Sequence, residues 1–304
     1  MKNYQKQKPD VYQIITNQIL DKLEAGVIPW HKPWSSYGPA CGYLTRKPYR
    51  GINALLLNIQ PVEKPFYLTF KQVKELGGQV KKGYRSLPVV YWNIVMRDAN
   101  TGKPISDEQA KTMAPDQLAS SAFIKYYNVF NLDQIDGIDF ELPDIKLQPD
   151  NTTIDNCEQV KSGMPNKPAI QFKDTSSAYY APHTDMINMP ELKYFKSSEM
   201  CYSVLFHELT HATGHSTRLN RPEIVSVNTF GSEDYSREEL VAELGASFLC
   251  GHAGIANQPV LDSASAYIKG WLKALKDDKK LVIEAAAKAQ KAADYVMNYK
   301  VTSD

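Results

Sequence analysis

Two histidines four residues apart, in the segment His207-Glu208-Leu209-Thr210-His211, constrain this chain more than any other feature. In a helix, side chains at positions i and i+4 lie on one face, so both imidazoles could bind the same divalent metal ion. Zn²⁺ accepts nitrogen ligands and, in catalytic sites, keeps one tetrahedral position open for water. Glu208 would lie beside that position and could take a proton from the water. The segment therefore predicts a helix that carries a hydrolytic metal centre.

The residues around this pair favour a buried helix. Val204, Leu205 and Leu209 supply apolar positions, and Gly214 can end the helix just after the second histidine. The alternative is a core helix whose histidines only satisfy hydrogen bonds. The surroundings favour the metal site over this alternative.

A third metal ligand is expected from residues 237–246, whose pattern predicts a second helix that packs on the first. Glu239 and Glu243 share one face of this helix, where small alanine side chains allow close approach. We predict Glu239 as the ligand and Glu243 as an outer-shell carboxylate that orients a ligand histidine. The alternative is that Glu243 is the ligand and Glu239 is the outer-shell carboxylate. Glu238 is predicted to be a solvated charge at the start of the helix.

Four other residues are candidates for roles near such a site. His215 is a rival third ligand, but the longer motif with three histidines would place one at Thr217, so an outer-shell or exposed position is favoured. The segment around Tyr180 and His183 predicts an edge strand that could pair with an extended peptide. Tyr180 and Tyr235 could donate to an oxyanion, although surface or packing roles are the simpler interpretation for them and for His183.

Composition limits the class of protein. With 304 residues, of which 43% are hydrophobic, the chain is long enough for two domains with sizeable cores. No apolar run approaches the roughly 20 residues of a membrane span, and the amino-terminal segment lacks the apolar core of a signal peptide. The four cysteines lack CxxC spacing, so neither a disulfide framework nor a thiolate metal site is indicated. We therefore expect a cytoplasmic protein without a membrane partner.

Charge is distributed unevenly along the chain. Residues 1–130 contain 18 Lys and Arg against 9 Asp and Glu, whereas the remainder contains 17 against 25. Aromatic residues lie among the charges of the basic half, as expected for a surface that follows a phosphate backbone and stacks on unpaired bases. A solvated basic face over an aromatic core would give the same pattern. The candidate DNA contacts are Trp30, Lys32, Trp34, Arg46, Lys47, Tyr49, Arg50, Lys71, Lys81, Lys82, Tyr84 and Arg85.

The order of predicted elements indicates an α+β protein with two domains. In the basic half, helices are predicted at about 10–25, 51–57 and 70–76, strands at 87–95 and 122–130, and a polar, mobile insert at 98–120. Near the end of the chain, residues 267–300 are strongly helical. The predicted divisions are a basic α+β domain, a linker, and a mostly helical domain with a small sheet, at 1–132, 133–150 and 151–304.

Many short motifs follow one another along most of the chain. In the first half they include IPWHKPW at 28–34, RKPYRGIN at 46–53, LTFKQ at 68–72, PVVYW at 88–92 and YNVFN at 127–131. In the second half they include FHELTHATGH at 206–215 and YSREELVAE at 235–243. This order resembles the ArdC-like antirestriction proteins, in which a single-stranded DNA-binding domain precedes a zincin-like metallopeptidase domain.

The resemblance implies a protein of a mobile element that coats single-stranded DNA entering a cell and shields it from host restriction. It also implies His207, His211 and Glu239 as metal ligands and Glu208 as general base. We expect Zn²⁺ at this site, with Mn²⁺ or another divalent metal as the alternative. A second hypothesis is an active metallopeptidase that cleaves a host defence protein, with the basic domain only placing it near DNA. One departure is Tyr84, which stands where such proteins tend to carry an acidic residue and could add a stacking ring.

Overall fold

The computed structural model describes residues 10–31, 38–60, 62–143, 150–175, 177–225, 233–255 and 264–300. Within them the chain has the two-domain α+β architecture that the sequence predicted. The helices are α1 (Val11–Glu24), α2 (Ile52–Asn58), α3 (Phe70–Glu75), α4 (Asp107–Thr112), α5 (Asp150–Gly163), α6 (Ser198–Ala212), α7 (Pro222–Val225), α8 (Glu233–Ala253), α9 (Ala264–Asp277) and α10 (Leu281–Val296). The strands are β1 (Cys41–Gly42), β2 (Phe66–Thr69), β3 (Gln79–Val80), β4 (Leu87–Asp98), β5 (Leu118–Asn131), β6 (Ile135–Asp136), β7 (Ala169–Lys173), β8 (Tyr179–Ala181) and β9 (Met186–Pro190).

The first half is built on a four-stranded sheet with the strand order β1-β2-β5-β4. The antiparallel strands β4 and β5 form a long ribbon, paired from Leu87 opposite Val129 to Asp98 opposite Leu118. Both strands were predicted, but both extend further than the sequence indicated. The expected insert at 98–120 is therefore shorter than predicted, and α4 forms within it.

Local capping explains where two of the three predicted helices of this half begin. Asp10 accepts a hydrogen bond from the backbone N–H of Tyr12 at 3.0 Å and starts α1. Thr69 and Gln72 form a reciprocal capping box at the start of α3. The buried face of α1 carries Ile15, Thr16, Ile19, Leu20 and Leu23.

The second half combines a small mixed sheet with packed helices. Its strand order is β7-β9-β8, with β7 parallel and β8 antiparallel to β9. The segment predicted as one edge strand is thus divided into β8, a turn and the buried strand β9. Helix α6 packs against both of these strands and against α8, while α10 packs against α8 and α6.

The two halves share one hydrophobic core. Helices α1 and α2 of the first half pack against α9 and α10 of the second half. The ring of Trp30 lies edge to face with that of Trp271, with centroids 4.9 Å apart. At the edge of this contact, Arg50 forms an ion pair with Asp294. The basic half is therefore joined to the metal-motif half by core packing.

None of the helices in the described ranges combines the length and the apolar character that crossing a bilayer requires. All four cysteines have free thiols, and Cys157, Cys201 and Cys250 are buried. Burial raises the pKa of the Cys157 thiol to about 12, and that of Cys201 to about 11. These thiols are therefore protonated near neutral pH and act as apolar core groups.

Candidate metal centre and candidate nucleic-acid surface

Helix α6 brings the two motif histidines to its contact with α8. Ser197 caps α6 by accepting a hydrogen bond from the backbone N–H of Met200 at 3.2 Å. The helices lie in close contact at Gly245, where an added Cβ would lie 2.4 Å from Cγ2 of Thr210. The sequence predicted close approach at alanine positions of α8, but the structure shows that it also needs this glycine.

Three side chains converge between α6 and α8. Nε2 of His207 and Nε2 of His211 are 3.1 Å apart. The carboxylate of Glu239 lies 3.6 Å from the first nitrogen and 3.5 Å from the second. In a tetrahedral zinc site with bonds of 2.0–2.1 Å, neighbouring ligand atoms are about 3.4 Å apart. These spacings fit a divalent cation, and no other group of three ligating side chains is as close within the described residues.

The acid–base balance of the three groups also fits a cation site. Burial would lower the pKa of His211, but hydrogen bonds to Glu238 and Glu239 raise it well above its ordinary value. Burial likewise acts to lower the pKa of His207, yet the hydrogen bond to Glu239 helps to raise it. Glu239 has its pKa held far below its usual range, because hydrogen bonds from both histidines outweigh the effect of burial. The surrounding carboxylates thus favour positive charge at this point, which agrees with a cation site.

Glu238 is buried and paired, so the prediction of a solvated charge was wrong. The residue is 4% exposed. Arg221 donates to both of its carboxylate oxygens, from Nε at 3.0 Å and from Nη2 at 2.6 Å. One of these oxygens also lies 3.2 Å from Nδ1 of His211, so it can accept an N–H from the nitrogen that faces away from Glu239. The error arose because α8 begins at Glu233, which places Glu238 in the second turn of the helix and not in the first.

Arg221 connects this pair to the end of the metal-motif helix. Its Nη1 donates to Oγ1 of Thr213 at 2.6 Å, and its Nη2 donates to the carbonyl oxygen of Thr210 at 2.8 Å. The residue is only 5% exposed. No sequence pattern singled out Arg221, because its importance arises from contacts between segments that are distant in the chain.

Two further carboxylates lie beside His207. Oε1 of Glu243 is 3.7 Å from Nδ1 of this histidine, the nitrogen opposite to the one that faces Glu239. Glu243 therefore remains the candidate outer-shell partner of His207. Glu208 is 7% exposed, and its negative charge favours the protonated form of His207. Its carboxylate has no hydrogen-bond or ion-pair partner in the described part of the chain, so it is available to accept a proton.

The remaining candidates for this site lie outside the ligand cluster. Nδ1 of His215 accepts a backbone hydrogen bond at 3.3 Å in the turn after α6. The hydroxyl of Tyr180 donates to Asp185 at 2.8 Å, so it is committed to a structural contact. His183 is exposed between β8 and β9. The side chain of Tyr235 lies outside the described residues.

Trp30 cannot contact DNA, contrary to the sequence-based expectation. It is 1% exposed, because its ring lies in the core between the two halves. Arg50 is engaged by the ion pair with Asp294, and its guanidinium lies 5.1 Å from the ring centre of Tyr299. Two further candidates lie outside the described residues, Lys32 and Trp34.

The other candidates for DNA contact lie at or near the surface. Arg46 is partly committed, because its guanidinium lies 4.4 Å from the ring centre of Tyr43 and donates to a backbone carbonyl at 2.8 Å. Lys81 donates to the carbonyl oxygen of Asp133 at 2.8 Å. Tyr49 is half-buried, and burial raises its pKa. The exposed members are Lys47, Lys71, Lys82, Tyr84 and Arg85.

One face of the β4–β5 ribbon carries a row of side chains that was not among the candidate DNA contacts. Antiparallel partners share a face, and the register pairs Tyr91 with Lys125, Asn93 with Phe123 and Val89 with Tyr127. Tyr91, Phe123 and Tyr127 are 43%, 38% and 39% exposed, and Nζ of Lys125 lies 5.0 Å from the ring centre of Phe123. Period-two alternation along the predicted strands could have revealed this set. We call Tyr91, Phe123, Lys125 and Tyr127 the aromatic row.

Comparisons with known proteins identify both halves. Residues 160–288 match the family model of a zincin-like metallopeptidase. Residues 9–130 match the model of the N-terminal domain of the anti-restriction factor ArdC. The fold and the site thus define a two-domain protein whose second part is a zincin-like domain, a class that suggests a divalent metal.

Matches over nearly the whole chain identify the family. The structure is similar to the metal-free crystal structure of the antirestriction protein ArdC from plasmid R388, with a TM-score of 0.73, 34% identity, and coverage of 96% of this chain and 98% of that one. The Mn(II)-bound structure of ArdC gives a TM-score of 0.71 and 35% identity over the same shares. Protein y4eC of Sinorhizobium fredii is 32% identical over 94% of this chain and 91% of its own length. The chain belongs to the ArdC-like antirestriction family, as its motifs predicted.

Two longer relatives carry a similar segment. The DNA primase TraC of Escherichia coli is 33% identical over 98% of this chain. This chain spans only 20% of that primase, and 27% of a second TraC primase that is 32% identical.

Proposed function

We propose that this protein binds single-stranded DNA along the aromatic row and shields incoming DNA from host restriction. The observation that carries the proposal is the placement of three exposed rings and a lysine on one face of the β4–β5 ribbon. Rings in such a row can stack on successive unpaired bases, whereas the bases of a duplex are covered by pairing and stacking. The relatives that are named for antirestriction and for DNA priming agree with a DNA partner.

Charge supports the same proposal. The basic half of the chain carries twice as many cationic as anionic residues, and Lys71 and Lys74 are exposed on helix α3. Cations that neutralise phosphates release counterions, so affinity falls as salt rises.

We propose residues 1–132 as the DNA-binding domain, 133–150 as the linker and 151–304 as the zincin-like domain, in a cytoplasmic protein.

Tyr91 and Trp92 provide a matched test, because they are neighbours on opposite faces of the same strand. They are 43% and 54% exposed, so either can be replaced by alanine with little effect on the core. Stacking contributes about 1–3 kcal/mol per base. Fluorescence anisotropy with the full chain and a labelled single strand should therefore show weaker binding for Tyr91→Ala, with Trp92→Ala close to the parent. If only Trp92→Ala weakens DNA binding, the DNA binds on the other face of the ribbon. If the parent chain does not bind DNA, the proposal is refuted.

We further propose that the converging histidines and Glu239 hold Zn²⁺, with Mn²⁺ as the alternative. When bound, the cation would supply Lewis acidity toward a carbonyl oxygen. His207, His211 and Glu239 would bind the cation, and Glu238 and Glu243 would orient the imidazoles of His211 and His207. Glu208 can accept a proton because its buried carboxylate has no competing partner within the described residues.

The second candidate function is peptide hydrolysis directed at a host defence protein. It is favoured by the carboxylate of Glu208, which is unpaired among the described residues, and by β8, an edge strand that packs against α6. An edge strand can bind an extended peptide through backbone hydrogen bonds. Glu208 would then accept a proton from the attacking water and pass it to the leaving amine.

Glu208→Gln separates the two functions. The variant retains the ligand set and the basic half, so we expect unchanged metal and DNA binding. If protection from restriction in recipient cells is also unchanged, peptide hydrolysis is not required and DNA shielding is supported. If protection is lost while DNA and metal binding persist, hydrolysis is the better explanation.

A further inference from the structure

A cavity of about 210 Å³ opens beside the aromatic row. Tyr127, a member of the row, forms part of its wall together with Tyr43, Tyr49 and Tyr67. Tyr67 pairs with Asn131 on β5, four residues after Tyr127, so the side chains of both tyrosines lie on the same face of the sheet. A strand of DNA that follows the row would therefore pass the mouth of this cavity.

The size and walls of the cavity limit its ligand. Pockets that enclose drug-sized molecules are roughly 300–1,000 Å³, so a smaller fragment is required here. Two of the tyrosine rings are held in place, because the Tyr67 hydroxyl donates to the carbonyl oxygen of Leu57 at 3.0 Å and the ring of Tyr49 lies edge to face with that of Tyr67, with centroids 6.3 Å apart. Fixed aromatic walls of this kind accept an unstacked nucleobase.

Gln72 adds an oriented hydrogen-bond donor to the lining. Its Oε1 accepts from the backbone N–H of Thr69 at 2.8 Å and from the Thr69 hydroxyl at 3.0 Å. Because the oxygen is committed to the capping box, the orientation of the amide is set. Its Nε2 has no partner among the described residues, so it can donate to a ligand. A carbonyl oxygen or a ring nitrogen of a nucleobase can accept this hydrogen bond.

We propose that this cavity holds one unstacked base of a bound single strand. The inference rests on the proposed DNA-binding function and adds a specific pocket to it. Lys47 also lines the cavity, where its ammonium group can face the phosphate of the inserted nucleotide. A duplex would have to extrude a base to fill the pocket, so occupancy favours single strands.

A matched pair of glutamine substitutions tests the pocket. Gln72→Glu keeps the oxygen that caps α3 but removes both N–H donors. Gln109→Glu is the control, because Gln109 holds the equivalent position in the Ser106 capping box of α4, away from the cavity. With the full chain and an oligothymidylate of about ten nucleotides, we expect Gln72→Glu to raise Kd by about tenfold and Gln109→Glu to have little effect.

Photocrosslinking gives a second readout that does not depend on substitution. An oligothymidylate that contains 5-iodouracil should crosslink to Tyr43 or Tyr49 on the cavity wall. The proposed base pocket is refuted if the parent chain binds the oligonucleotide but crosslinks only through Tyr91 or Phe123, and if Gln72→Glu binds like the control. Binding along the aromatic row would still be supported by that result. If the parent chain does not bind, the proposed function and the pocket fail together.

Discussion

Replacing Glu238 by glutamine would test how the buried network supports the metal centre. Three N–H groups converge on the Glu238 carboxylate, two from Arg221 and one from Nδ1 of His211. Glutamine has nearly the same size but only one oxygen, so at least one donor would face an amide N–H instead of an acceptor. Arg221 would also lose its buried counter-charge.

The expected effect follows from these contacts. A hydrogen bond to a charged group contributes about 1.5–3 kcal/mol, so the variant should lose about that much of its free energy of unfolding. The outer-shell partner of a ligand histidine typically contributes about 10- to 100-fold in metal affinity, or about 1.4–2.7 kcal/mol. We therefore expect Glu238→Gln to weaken Zn²⁺ binding by at least about tenfold.

Competition against a chromophoric chelator at fixed neutral pH measures this affinity directly, with circular dichroism to verify folding. Glu284→Gln is the control, because it makes the same charge change at an exposed position of α10. A folded Glu238→Gln variant that binds Zn²⁺ as tightly as the parent would refute the reasoning. Should that variant not fold, Arg221→Lys keeps the charge but loses the paired geometry, and it should also weaken Zn²⁺ binding.

Three other predictions concern stability, each measured by denaturant or thermal unfolding. Trp30→Ala should cost about 3–5 kcal/mol, because it empties a buried site between the two halves; a near-neutral effect would contradict its burial. Gly245→Ala should cost about 1–3 kcal/mol, since the new methyl group overlaps Thr210, and unchanged stability would disprove the close contact. Although burial opposes it, the hydrogen bond from Arg218 lowers the pKa of Asp185, so this carboxylate stabilises the fold above about pH 4 and less as pH falls further. Asp185→Asn should thus be less stable at pH 7, with the difference from the parent shrinking in acid; a constant difference would exclude this linkage.

Several features of the candidate metal centre were predictable because they depend on local geometry. The spacing of His207 and His211 places both rings on one helical face wherever that helix packs. Glu239 could be selected because the small residues of its helix indicated close approach to the first. The opening helix, α3 and the β4–β5 pair were also predictable from caps, apolar periodicity and strand composition.

The errors share a different origin. Trp30 lies in a segment with the composition of a DNA-binding surface, yet the second half of the chain covers its ring. Glu238 resembles an exposed charge near a helix start, but Arg221 and His211 enclose it. In both cases burial is set by segments that are distant in sequence.

The sequence by itself thus determined the family, the two-domain organisation, the helix that presents the histidine pair and the alternation of the ribbon strands. The family and the two domains follow from the order of motifs and elements along the chain. The helix and strand faces follow from the period of 3.6 residues in a helix and of two residues in a strand. Only the tertiary structure showed which faces are buried. It also showed that Glu238, paired with Arg221, contacts His211, and that the aromatic row adjoins a tyrosine-lined cavity. Those outcomes depend on side chains that meet through space, and the packing of α1 on α9 has no signal in the residue spacing of either helix alone.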